Sequence, residues 1–209
     1  MKYYRTPDFI QRIYSSYYWR IPTNEREVFI TFDDGPVPGV TPHVLDILDH
    51  FGAKATFFEV GENVAKYPGI HELILHKGHH VGNHTQNHLK GWNTPTFKYT
   101  KNALECRNYV QSSLFRPPYG KMTRLQAKSL KSKFNIIMWD LLSMDYSPSF
   151  DAEESFSSIR KYWRPGSIIV FHDSLKAQAN VISLLAKVLE WMKAEGIQSS
   201  PIPYELNSR

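Results

Sequence analysis

The sequence predicts a single-domain parallel α/β protein, with closure of its sheet into a barrel left open by periodicity alone. Three observations carry this. Strand-type and helix-type segments alternate about seven times with short connections, the pattern of a parallel sheet wrapped by crossover helices. No repeat, linker or low-complexity stretch interrupts the 209 residues, a length that buries a sizeable core in one domain. Clusters of titratable residues begin where five of the predicted strands end, the edge at which barrel enzymes place their chemistry.

Residues 1–26 form a lead-in, helical or irregular over 1–20, where Phe9, Ile10, Ile13 and Tyr17 fall near helical spacing; 27–209 form the domain. The first strand, 27–33, is rich in β-branched and aromatic residues and runs into Asp33-Asp34-Gly35-Pro36. Thr41 and Pro42 open a helix, Thr as N-cap and Pro in the first turn, with Val44, Leu45, Ile47, Leu48 and Phe51 inward and Gly52 as its end. The second strand spans 54–60, a helix runs through Leu73–Leu75 to Gly78, and a short third strand covers 79–83. A helix over 96–113 leads to Leu114-Phe115 and then to Arg116-Pro117-Pro118, whose prolines stop a ladder. A basic helix at about 122–132 precedes a buried strand over 134–140. Then follow a loop, a helix at about 152–163, a strand over 167–172, a helix over 177–195 closed by Gly196, and a short strand near 197–203.

Net charge is +5 and the hydrophobic fraction 42%, an ordinary globular balance too weakly basic to indicate nucleic acid. Lys121, Arg124, Lys128 and Lys131 fall at helical spacing and read as a solvated face. The aromatic share, 14%, suits either a groove that stacks on sugar rings or ordinary packing. A single cysteine, Cys106, permits no intrachain disulfide. The lead-in has no continuous apolar segment of signal-peptide type and no run is long enough to span a bilayer, so a cytoplasmic location is expected.

Adjacent carboxylates at a strand end invite two roles, because successive side chains of an extended chain point to opposite sides; Asp-Gly and Gly-Pro are also common turn dipeptides. His84 and His88, at i and i+4, share a face on a helical turn and can hold one metal ion. Two histidines and one aspartate leave positions open for water and substrate, as catalytic sites do. Arg116, Trp139, Asp145 and His172 lie at other strand ends, where each taken alone reads equally as a surface, core or capping residue. His43, His50, His71, His76, His79 and His80 read as surface or supporting residues.

In order, TFDDGP, GNHTxxxH, RPPYG, the WD…SxD segment and IIVFHD resemble the five motifs of the polysaccharide deacetylases, carbohydrate esterase family 4 or NodB-homology domains, over about residues 27–195. The resemblance implies a distorted (β/α)7 TIM-like barrel and metal-dependent removal of N-acetyl, sometimes O-acetyl, groups from chitin-like polymers, peptidoglycan or xylan. Matched by motif, Asp34, His84 and His88 hold one divalent ion, expected to be zinc, and Asp33 is the general base. His172 is the general acid, Arg116 holds the base carboxylate, and Asp145 orients His172 and keeps it charged. Pro117, Tyr119 and Trp139 line the sugar groove, with the Tyr119 N–H as oxyanion donor. The chain departs from the family pattern at Leu89, Leu142, Tyr146 and Val170, in place of Pro, Asp, Trp and Leu. Two other readings are a carbohydrate-binding protein with little turnover, against which the intact Asp33 and His172 speak, and a metal-dependent amidohydrolase of a small C–N substrate. The expected partner is an acetylated carbohydrate, and the sequence assigns no oligomeric state.

Overall fold

Along the first strand, β1 (Glu27–Asp33), Val28, Ile30 and Phe32 face one way and Phe29, Thr31 and Asp33 the other, the period of two that extended backbone imposes. Both sets are buried, as expected for a parallel strand covered on both sides. In this computed structural model residues 4–206 are described; the first three residues of the lead-in and the last three of the domain lie outside the described residues.

β1 sits at the centre of a sheet completed by β2 (Ala55–Glu59), β3 (His80–Asn83), β4 (Leu114–Phe115), β5 (Asn135–Ile136), β6 (Leu141–Leu142) and β7 (Ile168–His172). Its order is β5-β4-β3-β2-β1-β7-β6, with parallel pairings throughout. A two-residue β8 (Gln198–Ser199) pairs with the start of β1. Outside the sheet pack α2 (Thr41–His50) and the long α8 (Gln178–Ala194). Leu45, Leu48, Leu184 and Val188 from these helices meet Phe32, Phe57 and Phe171 of the sheet. Burying a side chain of this size stabilises the fold by about 1.5–3 kcal/mol. Inside the curl, Phe29, Phe58, Leu114, Ile137 and Ile168 pack with Tyr18 of the lead-in and Ile202 of the tail.

The (β/α)7 expectation stands, and its distortion has a definite place. The predicted strand over 134–140 is divided: β5 ends at Ile136, and the chain rejoins the sheet only at β6. Between them Ile137 N–H still donates to Phe115 O (2.8 Å) and Asp140 N–H to Ile168 O (3.1 Å), and the backbone also pairs with the lead-in. Tyr18 N–H donates to Ile136 O (2.9 Å) and Met138 N–H to Tyr18 O (2.7 Å), while Thr6 N–H donates to Asp140 O and Leu142 N–H to Tyr4 O (both 2.9 Å). The lead-in, with its helix α1 (Asp8–Ile13), thus runs along the seam between the two end strands. Further along, Ile21 N–H donates to Gly166 O (2.9 Å); Gly166 has φ +81°, and a Cβ there would collide with the Ile21 carbonyl.

Other boundaries moved for local reasons. The helix ending at Gly78 is two, α3 (Gly61–Lys66) and α4 (Pro68–His76), because Pro68 cannot continue a helix. The predicted 96–113 helix stops as α5 (Thr96–Glu105) and a 3-10 turn, Cys106–Asn108. Ser112 Oγ then donates to Val81 O (2.7 Å) and accepts from Leu114 N–H (3.0 Å), steering the chain into β4. The basic helix is α6 (Arg124–Leu130), opened by a capping box between Thr123 and Gln126, and α7 (Ala152–Tyr162) is capped by Asp151. Thr41 is not the N-cap of α2; its hydroxyl has another task. His79 is buried in the core, where its Nδ1 accepts from Ala55 N–H (3.1 Å). No helix among the described residues is long and apolar enough to cross a membrane.

The seam is held by one buried carboxylate. Asp140 accepts from Gln11 Nε2 (2.9 Å), Arg164 Nε and Nη2 (3.0 and 2.9 Å) and Ser167 Oγ (2.8 Å), which ties α1 to the turn before β7. Removing one partner of a buried ion pair strands the others. Because Arg164 remains 31% exposed, Asp140→Ala is expected to lower the unfolding free energy by about 3 kcal/mol, the low end for such pairs. Urea denaturation measures it, and a loss under about 1 kcal/mol would rank the pair with surface salt bridges.

Candidate active site

The β1–β7 register sets Asp33 beside His172, and the β3–β4 register sets Asn83 beside Phe115, so His84 and Arg116 leave the sheet together one residue later. At this edge Asp33 and Asp34 part company. Asp33 ends the strand pointing inward; Asp34, at φ +84°, turns away toward the two histidines.

Arg116 is fully buried inside the curl. Its Nη1 donates to Asp33 Oδ1 (2.6 Å) and Thr31 Oγ1 (2.8 Å), and its Nη2 and Nε to the carbonyls of Met138 (3.1 Å) and Ile137 (3.4 Å). The guanidinium lies 4.0 Å over the Phe58 ring. Burial lowers its pKa and Asp33 opposes that shift. With Oδ1 held, Asp33 Oδ2 carries no hydrogen bond among the described residues.

His84 and His88 do not share a helical turn. The loop that carries them is irregular, with positive φ at Thr85 (+65°) and His88 (+52°). Side chains take its amides before a helix can form: Asn83 Oδ1 accepts from Thr85 N–H, Asn102 Oδ1 from Gln86 and Asn87 N–H, and Thr85 Oγ1 from Leu89 N–H. The loop nevertheless brings the imidazoles together, with ring centroids 5.1 Å apart. His84 Nε2 and His88 Nε2 lie 3.7 and 3.1 Å from Asp34 Oδ1, and one ligand atom from each residue falls within 4.8 Å of the others. Donors on a tetrahedral zinc ion stand roughly 3.3 Å apart, so the set fits a single small divalent cation. His84 Nδ1 donates to Arg116 O (2.8 Å), which leaves Nε2 as the lone-pair donor. Burial drops the His84 pKa to about 4, keeping the imidazole neutral, as ligation needs. Burial works against ionised Asp34, but the His88 hydrogen bond and the electrostatic interaction with His172 and the neighbouring imidazoles outweigh it and hold its carboxyl well below the usual range.

On the other side of β1, His172 Nδ1 donates to Asp145 Oδ1 (2.7 Å) while the His172 backbone N–H donates to Oδ2 (2.8 Å). Burial disfavours the imidazolium, yet the charge and hydrogen bond of Asp145, helped by Asp34 and Asp33, push the pKa up to about 9. Tyr146 packs edge-on against His172 at 4.7 Å. Tyr119 sits on the turn after β4 at φ +61°, its ring 4.8 Å from that of His88 and more than half exposed. Its N–H makes no hydrogen bond among the described residues. Pro117 is buried, and half-buried Trp139 backs the turn, its ring filling the space that a Cβ on Gly120 would need.

Asp173 belongs to the site although sequence reasoning assigned it no role. Its Oδ1 accepts from Gly35 N–H (3.0 Å) and its Oδ2 from the Thr41 hydroxyl (2.6 Å), which accepts in turn from Val37 N–H (2.8 Å). This clamp fixes the turn that carries Asp34. Burial pushes the Asp173 pKa up to about 7, opposed by the Thr41 hydrogen bond and aided by the nearby Asp34 and Glu59. Asn63 adds a further hold, its Nδ2 donating to Asp34 O (2.8 Å). Position directly after His172 was the signal for Asp173; nothing local marked Thr41 or Asn63.

The profile of the polysaccharide deacetylase family matches residues 20–133. A peptidoglycan-N-acetylglucosamine deacetylase of Bacillus cereus is 34% identical over 188 residues, covering 85% of this chain and 87% of that protein. A chitooligosaccharide deacetylase of Azorhizobium caulinodans is 32% identical over 206 residues, covering 88% and 96%. Among solved structures, a peptidoglycan N-acetylglucosamine deacetylase crystallised with 4-naphthalen-1-yl-N-oxidanyl-benzamide superposes with a TM-score of 0.83 at 27% identity, over 98% of this chain and 99% of that one. On the strength of this match over most of its length, the chain belongs to the polysaccharide deacetylase family.

Proposed function

We propose that the protein hydrolyses the N-acetyl group of an acetylated glycan to acetate and a free amine, using one divalent ion held by Asp34, His84 and His88. The observation that carries this reading is the placement of that triad between a carboxylate fixed by a buried arginine and an imidazole fixed by a buried aspartate. The donor set suits zinc, which would polarise the acetyl carbonyl and acidify the attacking water.

The chain's own residues do the rest. Asp33, with Oδ1 held by Arg116, takes the water proton at Oδ2 as the water oxygen bonds to the acetyl carbon. The Tyr119 N–H is a free donor for the negative charge that develops on the carbonyl oxygen. His172, oriented through Nδ1, delivers its Nε2 proton to the nitrogen as the C–N bond breaks. Tyr119 and Trp139 supply the apolar face against which a sugar ring packs, and Pro117 sets the turn between them.

Three outcomes test this. His84→Ala and His88→Ala each abolish stoichiometric metal binding, read by elemental analysis, and erase the rise in melting temperature that zinc gives the parent protein. A variant that keeps its zinc removes that residue from the triad.

Asp34→Asn weakens metal binding, whereas Asp33→Asn keeps the metal and loses at least about a hundredfold in kcat, the scale of general-base loss. The assay is acetate release from chitooligosaccharides, peptidoglycan fragments and acetylxylan, with and without zinc. Equal turnover by Asp33→Asn and the parent would refute the base assignment.

The third is a pH dependence. The acid form of His172 is present below its raised pKa, so activity falls as pH climbs through about 9, or somewhat lower with a cation on the triad. The same shift contributes stability that is complete below the ordinary histidine value and disappears as pH rises through about 9. Asp145→Asn removes the main support for the charged form, and the basic limb of kcat/KM should move down by about one pH unit or more with metal content unchanged. A basic limb that stays in place means another group is the acid.

A further inference from the structure

Away from the metal triad, the lead-in and α6 share one outward face on which cations and large apolar side chains alternate. Ile10 of α1 joins the core cluster that holds Ala127 and Leu130 of α6, and Gln11 turns inward to Asp140. Helical spacing then leaves Phe9, Arg12 and Ile13 on the outer side of α1. Ile13, Tyr14 and Tyr17 line one groove with Arg124, Lys128 and Lys131. The basic stripe expected to begin at Lys121 on a helix is split, because α6 starts only at Arg124. Lys121 stays on the preceding turn, its Nζ 5.0 Å from the ring of Trp92, whose Nε1 donates to Met122 O (3.2 Å). Arg124, Lys128 and Lys131 fall within about 60° of the helix surface, and Lys131 Nζ lies 5.5 Å from the Tyr17 ring. Phe9, Ile13, Trp92 and Leu125, which flank this stripe, are each 62–67% exposed.

Residues 9–19 and 121–132 contain five lysines and arginines and no aspartate or glutamate, as much charge as the net +5 of the whole chain. None of the five forms an ion pair among the described residues. Cations and apolar groups on one face together narrow the partner. A face that only meets water has no use for four large apolar side chains set around its charges. A soluble polyanion such as nucleic acid answers the cations and leaves Phe9, Ile13 and Leu125 in water. A second copy of the chain brings the same charge to the contact. A bilayer with anionic headgroups answers both: the cations meet the headgroups, the apolar side chains enter the acyl boundary, and an indole settles between.

We propose that this face docks the protein reversibly on the surface of an anionic lipid bilayer. Phe9, Ile13, Trp92 and Leu125 enter the interface, and Arg12, Lys121, Arg124, Lys128 and Lys131 lie on the headgroups. The docking is independent of the hydrolysis proposed above and uses no residue of the metal triad. Lys121 directly follows the turn of Tyr119 and Gly120, so the docked face reaches the border of the cleft and leaves the triad free.

The test is sedimentation of the full chain with lipid vesicles. The protein should bind phosphatidylcholine vesicles containing about 30 mol% phosphatidylserine and leave pure phosphatidylcholine unbound. Binding should fall at least about tenfold between roughly 50 and 500 mM salt, as screening shortens the reach of the cations. Arg124→Gln, Lys128→Gln and Lys131→Gln should each lower the partition coefficient about three- to fivefold. Phe9→Ser combined with Ile13→Ser should lower it at least about tenfold with the charge unchanged. Because all these sites are exposed, the thermal melts of the variants should match the parent's. Tryptophan emission of the parent should shift to the blue on anionic vesicles, and Trp92→Phe should remove that shift. Absence of binding to anionic vesicles, or equal binding to neutral ones, overturns the proposal. So does binding that the Phe9 and Ile13 substitutions leave unmoved; if heparin or duplex DNA then competes for it, the face belongs to a soluble polyanion.

Discussion

A guanidinium with no exposure to water sits at the centre of the curled sheet, and most of the site follows from how its charge is met. Arg116 needs an anion and several acceptors within reach, because a buried cation left unpaired costs several kcal/mol. Those groups come from three parts of the chain: Thr31 and Asp33 on β1, Phe58 on β2, and the Ile137 and Met138 carbonyls beyond β5. Satisfying one side chain therefore draws these strands around a common point. It also fixes the carboxylate that the proposed chemistry uses as its base. The arginine even reaches the metal side, since its backbone carbonyl accepts from His84 Nδ1 and so selects the nitrogen that faces Asp34.

Around that pair the edge of the sheet holds three carboxylates with three tasks, separated by environment. Asp34 is pulled toward the anion by the histidines, Asp145 spends both oxygens on His172, and Asp173 spends both on the loop that carries Asp34. The buried carboxyl of Asp173 is pushed up while that of Asp34 is held down, although their residues meet the same turn. The Leu at position 142 and the Tyr at 146 fit this arrangement. No second acid is needed to orient His172 once Asp145 binds both its ring and its amide, and Tyr146 covers the ring edge-on.

The lead-in has a structural purpose that separates it from a mere extension. A parallel sheet that curls without closing exposes two edges, and unpaired edges invite association. Here Tyr4, Thr6 and Tyr18 pair with backbone at and beside both end strands, and Tyr18 fills the interior, so 1–26 and the rest of the chain share one core across the described residues.

Much of the site was legible from the residues alone. Alternating apolar runs located the strands, because side-chain period is a local property, and strands that ended in carboxylate, imidazole or guanidinium marked the working edge. The roles came from the resemblance of the ordered motifs. What the sequence could not decide depends on contacts between distant segments. Nothing near His84 says that Asn83 and Asn102 will take the loop amides, so the pair reads as helical when it is not. Thr41 looks like a cap because caps are local, but its hydroxyl is claimed by Asp173, 132 residues away. The run over 134–140 looks like one strand because its apolarity is continuous. Which backbone it pairs with, a sheet neighbour or the lead-in, was settled only when the curled sheet left a seam for the lead-in to fill.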